Sequence, residues 1–345
     1  MTPYYVTYAI FLACFVAGLL AKRLRLAAIA AFLPMFYLIA ARGLVGVDSA
    51  YYLQLFDAIR YLGPTGANFE PGFALIVASL TNIFSDSFDI LILLGCLTAG
   101  LMLLAALMLE RQPILFLAIV IPFFLFDMTM NGLRYGLAFS IVSIGATGLV
   151  NNRRWLFVVC TILAASIQIS SVVVAAGAWT LIEARIKTFA FVAAAGLVVV
   201  AVFGEYIGEK AAANTDLVAL GGTAGLVPYV ITLTILAAVS SEPELFKALK
   251  LPIIAIAVLQ TAAFAMARYY YAGLRMEGVV LFLLYIVLAV RFARMNHSVP
   301  SRSLAVILMA AAIMSSILRL RNFSDEQGQN ESPFAPYYFA SEVIA

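Results

Sequence analysis

The chain has 345 residues, of which 64% are hydrophobic and 11% charged. A soluble domain carries roughly 25% charged residues, and a core of this size could not hide so much apolar surface from water, so the composition excludes a soluble protein and indicates an integral membrane protein. The net charge of +3 points to no nucleic-acid partner, and charge is so scarce that each ionised side chain away from a helix end needs a reason.

A spanning helix needs about 20 mostly apolar residues. In chain order the segments 4–21, 26–41, 90–109, 114–128, 135–150, 188–203, 226–241, 251–267, 278–292 and 303–318 are predicted to cross, the shorter ones recruiting flanking residues. With no basic stretch ahead of 4–21, that segment reads as a retained crossing rather than a cleaved leader. Segment 71–84 is too short to cross, and 156–182 is interrupted at Ser166–Ser171. These two are predicted as a re-entrant helix and a pair of half-helices. The expected fold class is therefore all-α, a polytopic bundle of about 10 crossings plus re-entrant and broken helices.

Lys and Arg collect on the cytoplasmic side of short loops. With Lys22, Arg23 and Arg25 inside, the ten-crossing arrangement also puts Arg153 and Arg154 inside and both termini outside. The inner side then carries net +9 and the outer side net −6, which together give +3. No internal repeat and no soluble domain is visible, so 1–345 reads as a single membrane domain. The longest polar stretches, 42–70, 204–225 and 319–345, fall on the outer face. The inner loops leave no room for a nucleotide-binding domain, and no GxxxxGK[ST] or GxGxxG motif occurs. Any chemistry is expected to face outward, without a cofactor.

Metal and thiol chemistry find little material. His297 is the one histidine, in a basic inner loop where it reads as solvated. Cys14, Cys96 and Cys160 lie far apart in apolar stretches, so neither a disulfide nor a zinc site is expected.

The first outer loop offers Asp48, followed by Tyr51 and Tyr52, and then Glu70 directly before Pro71. Pro is favoured at the first helical position, and an acid there is favoured by the helix dipole, so both acids could be mere caps. They also flank a loop that returns to the membrane, which suits them to chemistry. Arg134 stands at the outer start of 135–150, where it could snorkel, pair with Asp127 or bind an anion with its planar fork. Gln168 lies at the tip of the broken segment. The connector 204–216 reads as a solvated helix and loop rather than a lid.

Arg268 and Arg275, seven apart, would share a face if 268–277 were helical, with three consecutive tyrosines between them. An aromatic belt accounts for the tyrosines, Tyr271 included. Two arginines on an otherwise acidic outer face break the charge trend and suggest a bound anion. Arg42 at the outer end of 26–41 is a weaker candidate of the same kind, and the aromatic end of the tail is expected to fold back to the interface. Arg319 and Arg321 could snorkel from the last helix and receive no role. The combination describes an outward-facing cavity with carboxylates and arginines, suited to a lipid-linked phosphate or pyrophosphate.

Five short motifs occur in order: Val45–Gly46–Val47–Asp48 with Tyr51 and Tyr52, Glu70–Pro71–Gly72–Phe73, Asn131 through Ala138, Arg268 through Glu277, and Pro336–Tyr337–Tyr338–Phe339. This ordered set resembles the EpsG family of exopolysaccharide polymerases, relatives of the Wzy polymerases. The resemblance implies a GT-C-like glycosyltransferase of the bacterial inner membrane that moves a growing glycan from undecaprenyl pyrophosphate onto a new lipid-linked repeat unit. Its partners would be those lipid-linked glycans, membrane lipid and other polysaccharide assembly proteins.

One position departs from the pattern, because the family often has a histidine where this chain has Gln168. A proton-transfer role at that place therefore does not carry over. In such a reaction Asp48 or Glu70 would be the base, and Arg134, Arg268, Arg275 and more weakly Arg42 would hold the pyrophosphate. Gln168, Tyr51 and Tyr271 would bind substrate, and no metal is required if arginines stabilise the leaving group. A glycan ligase of similar build, a glycolipid transporter or flippase, and a non-catalytic partner of an assembly complex are the alternatives.

Overall fold

The computed structural model describes residues 2–46, 48–66, 69–109, 113–183, 225–268, 271–295, 301–325 and 337–340. The predicted crossing at 188–203, the connector 204–216, His297 and tail residues 330–336 lie outside the described residues. Among the described residues the chain is helical, and its extended pairing is one isolated antiparallel bridge between Arg42 and Phe339. The protein is a polytopic helical bundle.

The helices are α1 (Thr2–Leu20), α2 (Leu24–Ala40), α3 (Ser49–Leu62), α4 (Pro71–Thr81), α5 (Ser87–Met108), α6 (Leu133–Val150), α7 (Arg154–Ile167), α8 (Ser171–Glu183), α9 (Leu226–Ser240), α10 (Pro243–Ala267), α11 (Tyr271–Arg294) and α12 (Arg302–Asp325). Among the described residues, α1, α5, α6, α10 and Gly273–Arg294 of α11 are long and apolar enough to cross a membrane. The others are shorter. The stretch 42–70, expected as a loop, contains α3, whose buried Tyr52, Phe56 and Ile59 recur at helical spacing. The last helix runs on to Asp325, past the end expected for it.

The 11 residues of α4 match the short element expected after Glu70. The long segment 156–182 is broken where its polar residues interrupt it, α7 ending at Ile167 and α8 starting at Ser171. The chain forms two compact units, one of residues 1–172, 292–299 and 308–345, the other of residues 173–291 and 300–307.

Within the first unit, segment 113–131 departs from a regular helix. It contains two π-helical turns, Phe116–Val120 and Asp127–Asn131, and nearly all of it is buried. The backbone N–H of Gly132 reaches the Asp127 carbonyl at 2.8 Å, five residues back. A widened turn displaces carbonyls from the usual ladder, and buried carbonyls need donors. Arg42 Nη1 donates to the Thr129 carbonyl at 3.1 Å, and Ser49 Oγ to that of Met130 at 3.2 Å.

Glycines press against the same turn. A Cβ on Gly136, Gly95 or Gly46 would lie 2.2, 2.7 or 2.2 Å from the carbonyl oxygen of Met128, Thr129 or Met130 respectively. Gly46 also has φ +108°, which a side chain rarely tolerates. Backbone cannot yield as a side chain tip can, so Gly136→Ala is expected to destabilise the folded chain by about 1–3 kcal/mol through overpacking. Gly100→Ala on α5, with open space around its Cβ, is expected to be neutral or slightly stabilising. Thermal unfolding of the two variants in detergent compares them directly.

Candidate functional site

The first unit has a chemically polarised pair of ends. The turns carrying Lys22–Arg23 and Asn152–Arg153 lie at the ends of α2 and α6 opposite to Arg42 and Arg134. Arg294 donates to the Leu149 carbonyl from Nε at 3.1 Å and from Nη2 at 2.7 Å, which adds its charge to the basic end.

At the other end, Asp48 and Glu70 occupy the N-cap positions of α3 and α4, yet neither side chain makes a cap hydrogen bond. The cap explanation of these acids therefore fails on geometry. The backbone N–H of Asp48 is held by Asn131 Oδ1 at 3.0 Å, which fixes the start of α3 against the π-helical turn. Glu70 Oε2 accepts from Arg134 Nη1 at 2.8 Å, and Glu70 Oε1 lies 3.5 Å from the Ile169 backbone N–H. One carboxylate thus links the start of α4, the start of α6 and the break between α7 and α8.

Arg134 is shaped by these contacts. Its guanidinium lies over the Phe69 ring, 4.8 Å from the centroid, and its buried Nε has no hydrogen-bond partner among the described residues. The pairing with Asp127 weighed from the sequence is not made. Asp127 accepts the Tyr135 hydroxyl instead.

Between these groups sits Tyr52, buried on α3 beside Phe69 at 6.2 Å between ring centroids. Burial pushes its hydroxyl above the ordinary tyrosine value, the charge of Arg134 and a hydrogen bond with it pull it down, and the Asp48 carboxylate adds to the rise. Tyr52 is therefore in electrostatic contact with both the acid and the arginine. Sequence reading gave a role to Tyr51, which is exposed on the neighbouring face. The signal for Tyr52 was available: four residues after Asp48, it shares the acid's face of a helix. Phe69 was missed as well, because an aromatic in a loop reads as packing until its ring is seen under a guanidinium.

Gln168 ends α7 in an extended conformation (φ −154°, ψ 112°), half-buried and next to the residue that faces Glu70. Arg42, the weaker candidate for holding the pyrophosphate, is fully buried, and the backbone on either side of it is hydrogen-bonded to residues 338 and 340. Burial lowers its guanidinium to about 10, which leaves it charged at neutral pH.

The second unit holds Arg268 and Arg275. They do not share one helical face: Arg268 is the C-cap of α10, while Arg275 lies on α11. The Arg268 guanidinium stands 4.9 Å from the centroid of Phe264, which in turn stacks on Tyr229 at 4.5 Å. Arg275 is exposed, and Tyr271 is the first residue of α11. Tyr269 and Tyr270 lie outside the described residues. Glu277, to which sequence reading gave no role, is fully buried without a hydrogen-bond partner among the described residues, and Gly225 packs against its carboxylate.

The model of the EpsG family matches residues 25–339, from the start of α2 to the bridge partner of Arg42. The chain belongs to the EpsG family. No curated protein and no solved structure matches it significantly. Membership in the EpsG family implies an exopolysaccharide polymerase, a glycosyltransferase-like activity in general, working on glycan-lipid substrates in a membrane.

Proposed function

We propose that this EpsG-family chain polymerises undecaprenyl-pyrophosphate-linked oligosaccharide repeat units at the outer face of the bacterial inner membrane, on a GT-C-like scaffold. The observation that carries the reading is the Glu70–Arg134 pair at 2.8 Å, with Asp48 and Tyr52 beside it. An arginine oriented by a carboxylate and an aromatic ring is ready to meet charge that appears during reaction.

The chemistry follows from these parts. A hydroxyl oxygen of the acceptor sugar attacks the anomeric carbon of the donor glycan, whose bond to the pyrophosphate oxygen breaks. Asp48 takes the hydroxyl proton. Glu70, the other candidate base, is already engaged with Arg134 and serves to position it. The leaving pyrophosphate gains negative charge, which Arg134 stabilises. Gln168 and Tyr51 contact the glycans. The basic turns at Lys22–Arg25 and Arg153–Arg154 support an orientation in which that end faces the cytoplasm.

The test uses purified full-length protein, a synthetic undecaprenyl-pyrophosphate repeat unit and EDTA, with products resolved by size. A ladder of multiples is expected. A single transfer without extension would identify a ligase, and intact substrate with folded protein would favour a transporter or a non-catalytic assembly partner.

A further inference from the structure

Arg42 is an expensive residue where it stands. Its side chain is fully buried, and its one hydrogen bond among the described residues runs from Nη1 to the Thr129 carbonyl at 3.1 Å. Nε and Nη2 are buried with no partner there. The titratable groups whose charges it feels are Cys96, Tyr337, Tyr4 and Tyr52, all neutral at pH 7 at their ordinary values. Among the described residues no carboxylate balances it. A buried charge without a counter-ion is strongly disfavoured, and a neutral donor to Thr129 would hold the turn without that cost. Two unfilled N–H directions on a planar fork fit two oxygens of a phosphate-type anion.

Residues 337–340 run beside Arg42. Gly43 N–H donates to the Tyr338 carbonyl at 2.7 Å and Ala340 N–H to the Ala41 carbonyl at 3.0 Å, which makes the single bridge between Arg42 and Phe339. The Tyr337 hydroxyl donates to the Leu38 carbonyl, and its ring meets the edge of Tyr4 at 5.5 Å. A lone bridge of this kind has little stability of its own. The family match extends to residue 339, so it includes Tyr337, Tyr338 and Phe339. The Tyr52 hydroxyl is hydrogen-bonded to Arg134 and lies within electrostatic reach of Arg42.

We infer that Arg42 is a second ligand for phosphate oxygens, kept covered by a strap of residues Tyr337–Ala340, and that strap and anion compete for it. The inference rests on the proposed reading for the identity of the anion, the pyrophosphate of a lipid-linked glycan. An ordinary phospholipid headgroup offers the same oxygens. When the strap lifts, Nε and Nη2 turn to the anion while Nη1 keeps Thr129 in place. The strap then acts as a tax on binding: weakening it raises the fraction of chains able to bind.

The experiment measures binding of inorganic pyrophosphate to the full chain in nanodiscs of phosphatidylcholine, by its effect on thermal unfolding. Tyr337→Ala and the milder Tyr337→Phe weaken the strap and leave Arg134 intact. Tyr337→Ala is expected to bind about tenfold more tightly than the parent, with Tyr337→Phe in between. The gain should vanish in Tyr337→Ala/Arg42→Met. Arg42→Met alone removes an unbalanced buried charge but also the donor to the Thr129 carbonyl, so the two effects should largely offset and it should unfold close to the parent.

Equal affinity in the parent and both Tyr337 variants would overturn the inference, as would a gain that survives Arg42→Met. A large drop in unfolding temperature for Arg42→Met would make the residue a structural brace and overturn it too. Repeating the series in phosphatidylglycerol nanodiscs separates the sources: a gain abolished by that lipid assigns the site to headgroups and overturns the pyrophosphate assignment. None of these readouts needs polymerisation, so a missing product ladder with the predicted binding would count against the polymerase reading alone.

Discussion

Arg134→Ala is expected to reduce polymer formation by about 10²–10³-fold, the range found when one donor to a developing negative charge is removed. The size of the loss is not enough to identify the role. Arg134 is also the partner of Glu70, whose side chain is 10% exposed, and leaving that carboxylate unpaired should cost about 1–3 kcal/mol in stability. A fall in activity could then reflect less folded protein.

The two roles separate in a double variant. Glu70→Gln/Arg134→Met has no orphaned charge, so its unfolding temperature should return toward that of the parent, while its activity stays low if Arg134 meets the leaving group. Recovery of both properties would reduce Arg134 to a structural partner. Arg134→Lys adds a third point. It keeps the charge but loses the fork and the flat face over Phe69, so it should retain stability better than activity.

Part of the layout of these groups is legible in the amino-acid sequence. Apolar segment length locates α2, α5, α6 and α9 within a few residues, because membrane helices obey a length rule that loops do not. The break at Gln168 is legible for a physical reason: consecutive polar side chains inside an apolar run have no neighbours in lipid, so the backbone turns there. The acids Asp48 and Glu70 and the arginine Arg134 stand out because charge is rare in this composition.

What the sequence conceals is equally physical. Nothing in 113–131 announces a π-helical turn, since most of its residues are apolar and their pattern marks no widened turn. The turn is visible only through the glycines and the arginine that meet its carbonyls. Arg42 looks like Arg134 because both stand at helix ends away from the basic turns; only the fold tells that one is fully buried and the other lies beside a largely buried carboxylate. Pairing across 64 residues, as between Glu70 and Arg134, has no local trace at all.

Asp48→Asn is expected to lower polymerisation by about 10²–10⁴-fold, the usual contribution of a general base, with little change in stability. Asparagine has the same shape as aspartate, the Asp48 side chain makes no cap hydrogen bond to lose, and the backbone bond from residue 48 to Asn131 Oδ1 does not depend on the side chain. The ability to take a proton is lost, together with the negative charge that acts on Tyr52. Glu70→Gln makes the complementary comparison. Its carbonyl oxygen can still accept from Arg134, so geometry is largely preserved and a moderate loss is expected, smaller than that of Asp48→Asn. The reverse ranking, with Glu70→Gln inactive and Asp48→Asn close to the parent, would move the base to Glu70 and require Arg134 to release it before reaction. Steady-state kinetics in the acceptor distinguish a further case. If Asp48 instead orients the acceptor sugar, Asp48→Asn should raise the acceptor KM and leave kcat nearly unchanged, whereas loss of the base lowers kcat.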